Sequence, residues 1–418
     1  MDSREWNGLA LNGGPKVRTS PWPERGHVGR EEKDAVDALF DESIRTGVAF
    51  GYNGPQEEAY CREFAQWLGG GYADAVNSGS TAVHVALRAL DLEPFTEVIV
   101  GPITDPGGMM PIPLMNCIPM VADAAPGRYN TGAEQVEELI CPRTSAIVVA
   151  HIGGEPADID GIMKIARRRG IPVVEDCAQA HGARLHGNLV GTTSDVAAFS
   201  TMFGKHHCTG GQGGMVFTKD EKRSWKVRQS SDRGKPFGLP PGSTNVIAAL
   251  NHNLNDLAAV IGRVQLKKLP GIVERRRAVV AEISRGLGDV ETVLIPPQLP
   301  GAESSWWWWR LEANLERLSC DKDTYCKALA AEGLSINPYY RAMPHLYDWF
   351  TRHAVFGTSG LPWSSPAYKG DADRKFPCPN ALRSIERQFN LTVYESYGPR
   401  EVSDIVEIFR KVDRACRK

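Results

Sequence analysis

Between about residue 75 and residue 220, short apolar runs alternate with stretches of helical spacing, and this alternation restricts the fold more than any other feature. Glu97 to Val100, Ala146 to Ala150, Ile171 to Val174 and Gly214 to Phe217 each read as a strand. Between two of them, Asp158 to Arg169 places Ile159, Ile162, Met163 and Ile165 at helical spacing. Strand, helix, strand at this distance predicts an α/β fold with a mostly parallel central sheet covered by helices. Ligands of such sheets bind at the carboxyl ends of the strands. The polar residues just after each strand are therefore the ones to weigh.

The chain has 418 residues. Single cores stop growing at roughly 250–300 residues, so two domains are expected. The texture changes after about residue 265, which predicts a large domain over 1–265 and a smaller α/β domain over 266–418. In the second part, Pro270-Gly271 ends a long helical stretch, and a Pro-rich segment runs from Ile295 to Pro300. Trp306-Trp307-Trp308-Trp309 follows, and a helix from Arg400 to Val412 closes the chain. The four tryptophans are expected to alternate across a strand, two filling a core and two covering a groove or contact. A Trp lining a substrate site is the other reading.

A net charge of −2 predicts no attraction to nucleic acid or to an anionic membrane. The basic runs Arg167 to Arg169 and Arg275 to Arg277 sit in helical stretches and read as solvated faces. No apolar run approaches the roughly 20 residues of a membrane span. The first residues lack the apolar core of a signal peptide. Nine cysteines are scattered with no CxxC, which predicts reduced thiols, no metal and a cytoplasmic setting.

Three local features carry chemistry. Asp176 ends the run Val173-Val174-Glu175-Asp176, where an acid could face a protonated ring nitrogen or cap a following helix. Lys205 follows Ala198-Phe199-Ser200 and precedes Gly210-Gly211-Gln212-Gly213-Gly214. A confined lysine amine can form an imine, although a surface lysine before a glycine turn is the plainer reading. Ser78-Gly79-Ser80 opens a helix and presents free N–H groups and hydroxyls to an anion, or acts as an ordinary N-cap.

In this order the motifs resemble the DegT/StrS family of pyridoxal-phosphate (PLP) aminotransferases acting on sugars and cyclitols. The likeness begins at Leu11 to Pro15 and continues through Ser78-Gly79-Ser80 and Val149 to Asp158. It is densest at Val174 to Ala183, and it includes Phe199-Ser200 before Lys205 and the segment Asn251 to Gly262. The resemblance implies fold type I, the aspartate-aminotransferase architecture, as a homodimer with shared active sites. It implies Lys205 as the Schiff-base lysine and proton carrier, and Asp176 as partner of the pyridine nitrogen. Gln179 would lie near the 3-hydroxyl. Ser78, Gly79, Ser80 and Ser200 would hold the phosphate, with Asn251 reaching it from the other subunit. A small-molecule donor, glutamate or glutamine, would pass its amino group to a keto-sugar, often nucleotide-linked, or a ketocyclitol, by ping-pong kinetics through a pyridoxamine phosphate form. His181, Trp309, Arg310, Tyr340 and Arg341 are the candidates for contact with substrate.

The sequence departs from the family in three places. Thr104-Asp105-Pro106-Gly107-Gly108-Met109 has no aromatic where relatives stack a ring on the PLP. Asp105 is therefore assigned to the cofactor site, with a substrate contact as the alternative, and Met109 is a candidate cover for the ring. Asn253 stands where relatives carry a basic residue. His206-His207-Cys208 lengthens the loop after Lys205. A PLP-dependent dehydratase and a non-catalytic regulator of the same fold are the competing functions. The complete set of Asp176, Gln179 and Lys205 favours transamination over both.

Overall fold

The computed structural model describes residues 3–418. Seven strands form the central sheet: β1 (Tyr72–Val76), β2 (Glu97–Val100), β3 (Ile118–Val121), β4 (Thr144–Ala150), β5 (Val173–Asp176), β6 (Val196–Ser200) and β7 (Gly214–Thr218). Their order across the sheet is β1-β7-β6-β5-β4-β2-β3. β7 runs antiparallel to β1 and β6, and every other pairing is parallel. Successive residues of β6 and β7 enter different cores. Ala198 and Val216 join one; Ala197, Phe199, Met215 and Phe217 join the other. Both faces of the sheet are thus covered, which is why its strands read as unbroken apolar runs.

The helices that matter for the site are α1 (Arg30–Thr46), α2 (Pro55–Trp67), α3 (Gly79–Arg88), α4 (Ile159–Arg169), α5 (Asp256–Gly286) and α6 (Pro399–Cys416). In α4, Asp158 Oδ1 accepts from the Gly161 N–H at 3.1 Å, and Ile159, Ile162, Met163 and Ile165 are buried, as their spacing predicts. α5 corrects the expectation that Pro270 ends a helix. It runs on for a further four turns, because buried Leu269, Ile272 and Val273 hold both sides of the proline. No helix among the described residues is long and apolar enough to cross a membrane.

A second, antiparallel sheet has the order β8-β9-β11-β10, with β8 (Val293–Leu294), β9 (Trp309–Ala313), β10 (Ile336–Asn337) and β11 (Gln388–Leu391). Its core takes Val279, Val280 and Ile283 from the far end of α5 and Ile405, Ile408 and Phe409 from α6. Core membership crosses the residue 265/266 division in both directions. Leu9 is buried in the C-terminal core, while Met343, Phe350, Trp363 and Tyr368 pack into the core of the large sheet.

The tryptophans do not simply alternate along a strand. β9 starts only at Trp309, and Trp306 has φ 52°, which turns the chain before the strand begins. Trp306 and Trp309 fill the C-terminal core, and Trp307 and Trp308 are half-buried towards the large domain.

Candidate active site

The carboxyl ends of β4, β5 and β6 lie side by side, and His151, Asp176 and Ser200 stand at or just beyond them. The start of α3 closes one side of this edge. Ser78 Oγ accepts from the Thr81 N–H at 3.2 Å, leaving the Gly79 and Ser80 N–H groups at the first helical turn. A Cβ on Gly79 would stand 2.5 Å from Cβ of Ser200, so only glycine lets this turn lie against the end of β6. Together these elements enclose a cavity of about 310 Å³ lined by Ser78, Gly79, Ser80, Asp105, Asp176, Gln179, Ser200, Lys205 and Trp307, among others. That volume is at the small end of the roughly 300–1,000 Å³ typical of small-molecule sites.

Lys205 reaches this cavity from a turn closed by its own N–H to the Met202 carbonyl, 2.9 Å. The residue is 6% exposed. Its Nζ lies 3.8 Å from the centre of the Trp307 ring and forms no ion pair among the described residues. Burial lowers the amine to about 8, against the upward pull of Asp176 and Asp105. Asp176 is equally enclosed, and burial raises its carboxyl above the usual range. The Ala178 N–H at 3.0 Å and Lys205 work the other way. The sequence alternative for Asp176, a helix cap, is absent in that form: residues 177–182 are a turn, and the Ala178 bond is what that turn retains.

Around this pair the side chains are locked. Gln179 Oε1 accepts from the Gly153 N–H at 2.7 Å, and its amide donates to Tyr340 Oη at 2.9 Å. His151 Nδ1 accepts from the Ala157 N–H, so its Nε2 carries the hydrogen towards Glu175 Oε1, 3.1 Å away. Both ring nitrogens are thereby engaged. Glu175 sits below the usual carboxylate range. Burial alone would raise it, but the His151 bond and the Gly191 and Ser194 groups prevail. Asp105 is exposed at the cavity rim, where its Oδ1 accepts from the Gly107 N–H at 2.9 Å. The loop after Asp105 lays the backbone of Gly107 and Gly108 along the cavity. A Cβ on Gly108 would meet Asp176 Oδ2 at 2.9 Å.

The structure separates the remaining sequence candidates. Trp309 is 2% exposed in the C-terminal core and does not line the cavity; the tryptophan that does is Trp307. Arg310 is buried, held bidentate by Glu155 at 2.9 Å on each oxygen, and does not line the cavity. His181 is fully buried against Phe199 and His206, behind the cavity. Met109 is a core residue and covers nothing in the cavity. Tyr340 stands behind Gln179, packed on Trp308 at 4.8 Å. Arg341 is exposed, its guanidinium 4.3 Å over the Tyr339 ring with no ion pair among the described residues. Asn251 is exposed and does not line the cavity of its own chain. His206, His207 and Cys208 diverge to Ser305, Gly262 and Gln265.

A mostly parallel α/β sheet with a buried aspartate at one strand end and a buried lysine just beyond the next has the architecture of fold type I transferases. The profile of the DegT/DnrJ/EryC1/StrS aminotransferase family matches residues 30–410, and the chain belongs to that family of PLP-dependent aminotransferases. It is 31% identical over 371 residues to L-glutamine:2-deoxy-scyllo-inosose aminotransferase of Micromonospora echinospora, covering 84% of this chain and 87% of that one. It is 31% identical over 359 residues to dTDP-3-amino-3,4,6-trideoxy-alpha-D-glucose transaminase of Streptomyces venezuelae, covering 86% of each. Among solved structures, an aminotransferase from Psychrobacter cryohalolentis superposes with a TM-score of 0.80 at 25% identity, over 94% of this chain and 98% of that one.

Proposed function

We propose that this enzyme moves an amino group from glutamine or glutamate to a ketone on a sugar or cyclitol, with pyridoxal phosphate joined to Lys205. The observation that carries the reading is a buried lysine amine, with no ion pair among the described residues, beside a buried aspartate and a helix start rich in hydroxyls. These residues fit the cofactor. Asp176 offers a buried carboxylate, whose negative charge would favour a protonated ring nitrogen beside it. Gly79 and Ser80 N–H groups with the Ser78, Ser80 and Ser200 hydroxyls suit a phosphate. Gln179, with both ends of its amide fixed, suits the ring's hydroxyl side. Asn251, exposed beside the Asp232 turn, suits the same phosphate in a second copy, which makes the active form a homodimer.

When bound, pyridoxal phosphate supplies the carbon that receives the amino group and a ring that accepts electrons from the neighbouring carbon. The chain's own part is positioning and proton movement. With its amine near 8, Lys205 is a base of useful strength at neutral pH and an acid once protonated. Its flexible stem leaves the amine free to move within the cavity that it lines. The Trp307 ring steadies the ammonium form through its face. Asp176 would be the carboxylate partner of the ring nitrogen, held through Oδ1 by the Ala178 N–H. Of the two arginines considered for a donor carboxylate, Arg310 is engaged by Glu155 and Arg341 is exposed. The names of the relatives, one a glutamine-dependent inosose enzyme and one a dTDP-sugar enzyme, support the donor and the acceptor class.

Borohydride reduction followed by peptide mapping tests the reading. The cofactor is expected on the Lys205 peptide of the wild-type enzyme and on no peptide of Lys205→Ala. Glutamine or glutamate alone should bleach the lysine-linked absorbance and release one keto acid per site. Attachment to another lysine, or turnover by Lys205→Ala, would overturn it.

A further inference from the structure

Lys205 is held in place by residues from both ends of the chain. The guanidinium of Arg25, in the N-terminal arm, donates from Nη1 to the Gly204 carbonyl at 3.0 Å and to the Lys205 carbonyl at 2.9 Å. Among the described residues the Lys205 carbonyl has no other partner. Arg25 Nε also donates to Glu395 Oε1 at 3.0 Å. The other oxygen of Glu395 accepts from Arg276 Nε at 2.8 Å. Arg276, fully buried in α5, donates onward to the Trp306 and Trp307 carbonyls at 2.8 and 3.1 Å. The indole N–H of Trp307 then returns to the Gly204 carbonyl at 3.2 Å. The circuit closes on the contact between Lys205 Nζ and the Trp307 ring.

We propose that Arg25 and Glu395 are positioning residues for Lys205. The Arg25–Glu395–Arg276 bridge fixes the backbone under the lysine and the backbone under the tryptophan on one rigid frame. This rests on the assignment of Lys205 above. Two arginines against one carboxylate, all shielded from water, form a network in which removing one arginine still leaves Glu395 neutralised by the other. The fold can therefore survive the loss of Arg25, while the turn carrying Lys205 loses the donor that holds its two carbonyls. A lysine with four rotatable bonds turns a small backbone displacement into a large one at Nζ. A displacement of about 1 Å can cost on the order of 100-fold in rate.

The test is Arg25→Met in the holoenzyme. We expect kcat to fall about 10- to 100-fold, with KM for the amino donor little changed. The visible circular dichroism of the lysine-linked cofactor, which reports its orientation, should change as well. Arg25→Lys, which restores a cation against Glu395 and one donor, should recover much of both. Arg18→Met is the control, because Arg18 ties the same arm to Glu401 and Asp404 without touching Lys205. It should leave the dichroism as in the wild type. Glu395→Gln makes the same test if Arg25→Met does not fold, with the same direction in kcat and dichroism. Wild-type kcat and dichroism in Arg25→Met or Glu395→Gln, or an equal loss in Arg18→Met, would overturn the positioning role. A lysine-linked band surviving in Lys205→Ala would instead overturn the assignment of Lys205, so the two failures are distinguishable.

Discussion

Gly108→Ala probes the centre of the site with a single methyl group. Gly108 has no need of a left-handed backbone, so alanine is conformationally allowed there. The obstacle is space. The new Cβ would stand 2.5 Å from Thr104 Oγ1 and 2.9 Å from Asp176 Oδ2, and Cβ atoms essentially never come closer than 3.0 Å to a neighbour. Thr104 is buried and its N–H is tied to the Ala342 carbonyl, so the loop cannot simply lift. Asp176 is held through Oδ1 by Ala178, which leaves Oδ2 as the atom that gives way. Overpacking of this kind costs about 1–3 kcal/mol of stability. A shift of roughly half an ångström in Asp176 should slow the amino-donor half-reaction on the order of tenfold, given about 100-fold for a full ångström. Stopped-flow absorbance of the holoenzyme with donor alone measures that rate, and urea unfolding measures the stability. If the rate stays within about twofold while stability drops as expected, Asp176 is not the group that tunes the cofactor, and the reasoning fails.

Four further outcomes are expected. Trp309→Ala should destabilise the chain by about 3–5 kcal/mol through a core cavity while leaving the cofactor spectrum unchanged; urea unfolding and absorbance together check this against the earlier expectation that Trp309 meets substrate. Glu155→Ala should cost about 3–5 kcal/mol by leaving the Arg310 guanidinium buried and unpaired, read as a lower urea midpoint. Burial lowers the Lys205 amine to about 8 from 10.5, and the neutral form is the one that reacts. Labelling of Lys205 in the cofactor-free chain by an amine-selective reagent should therefore rise with pH and level off above about 8. Asp105→Asn should move that midpoint down, since the Asp105 charge favours the ammonium. A wild-type midpoint near 10.5, read by peptide mass spectrometry, would contradict the burial argument.

What the sequence determined by itself was local. Strands β2, β4, β5 and β7, the helix behind Asp158 and the polar residues at strand ends follow from periodicity that each segment carries alone. Lys205, Asp176, Gln179 and the Ser78-Gly79-Ser80 turn follow from short motifs in a set order. Arg276 also left a trace. It falls three residues after Val273 and four before Val280, on the buried face of α5, although with its neighbours it has the look of a solvated basic run. Other decisions needed the folded chain. Four consecutive tryptophans have no pattern that says which enters the cavity; the left-handed turn at Trp306 sends Trp307 there and Trp309 into a core. Arg310 looked available until Glu155, 155 residues away, closed on it. Arg25 and Glu395 are 370 residues apart, and neither sits in a motif. Their meeting beneath Lys205 is fixed by how the N-terminal arm packs on the C-terminal core, because a contact between distant segments depends on the whole fold and has no local signature.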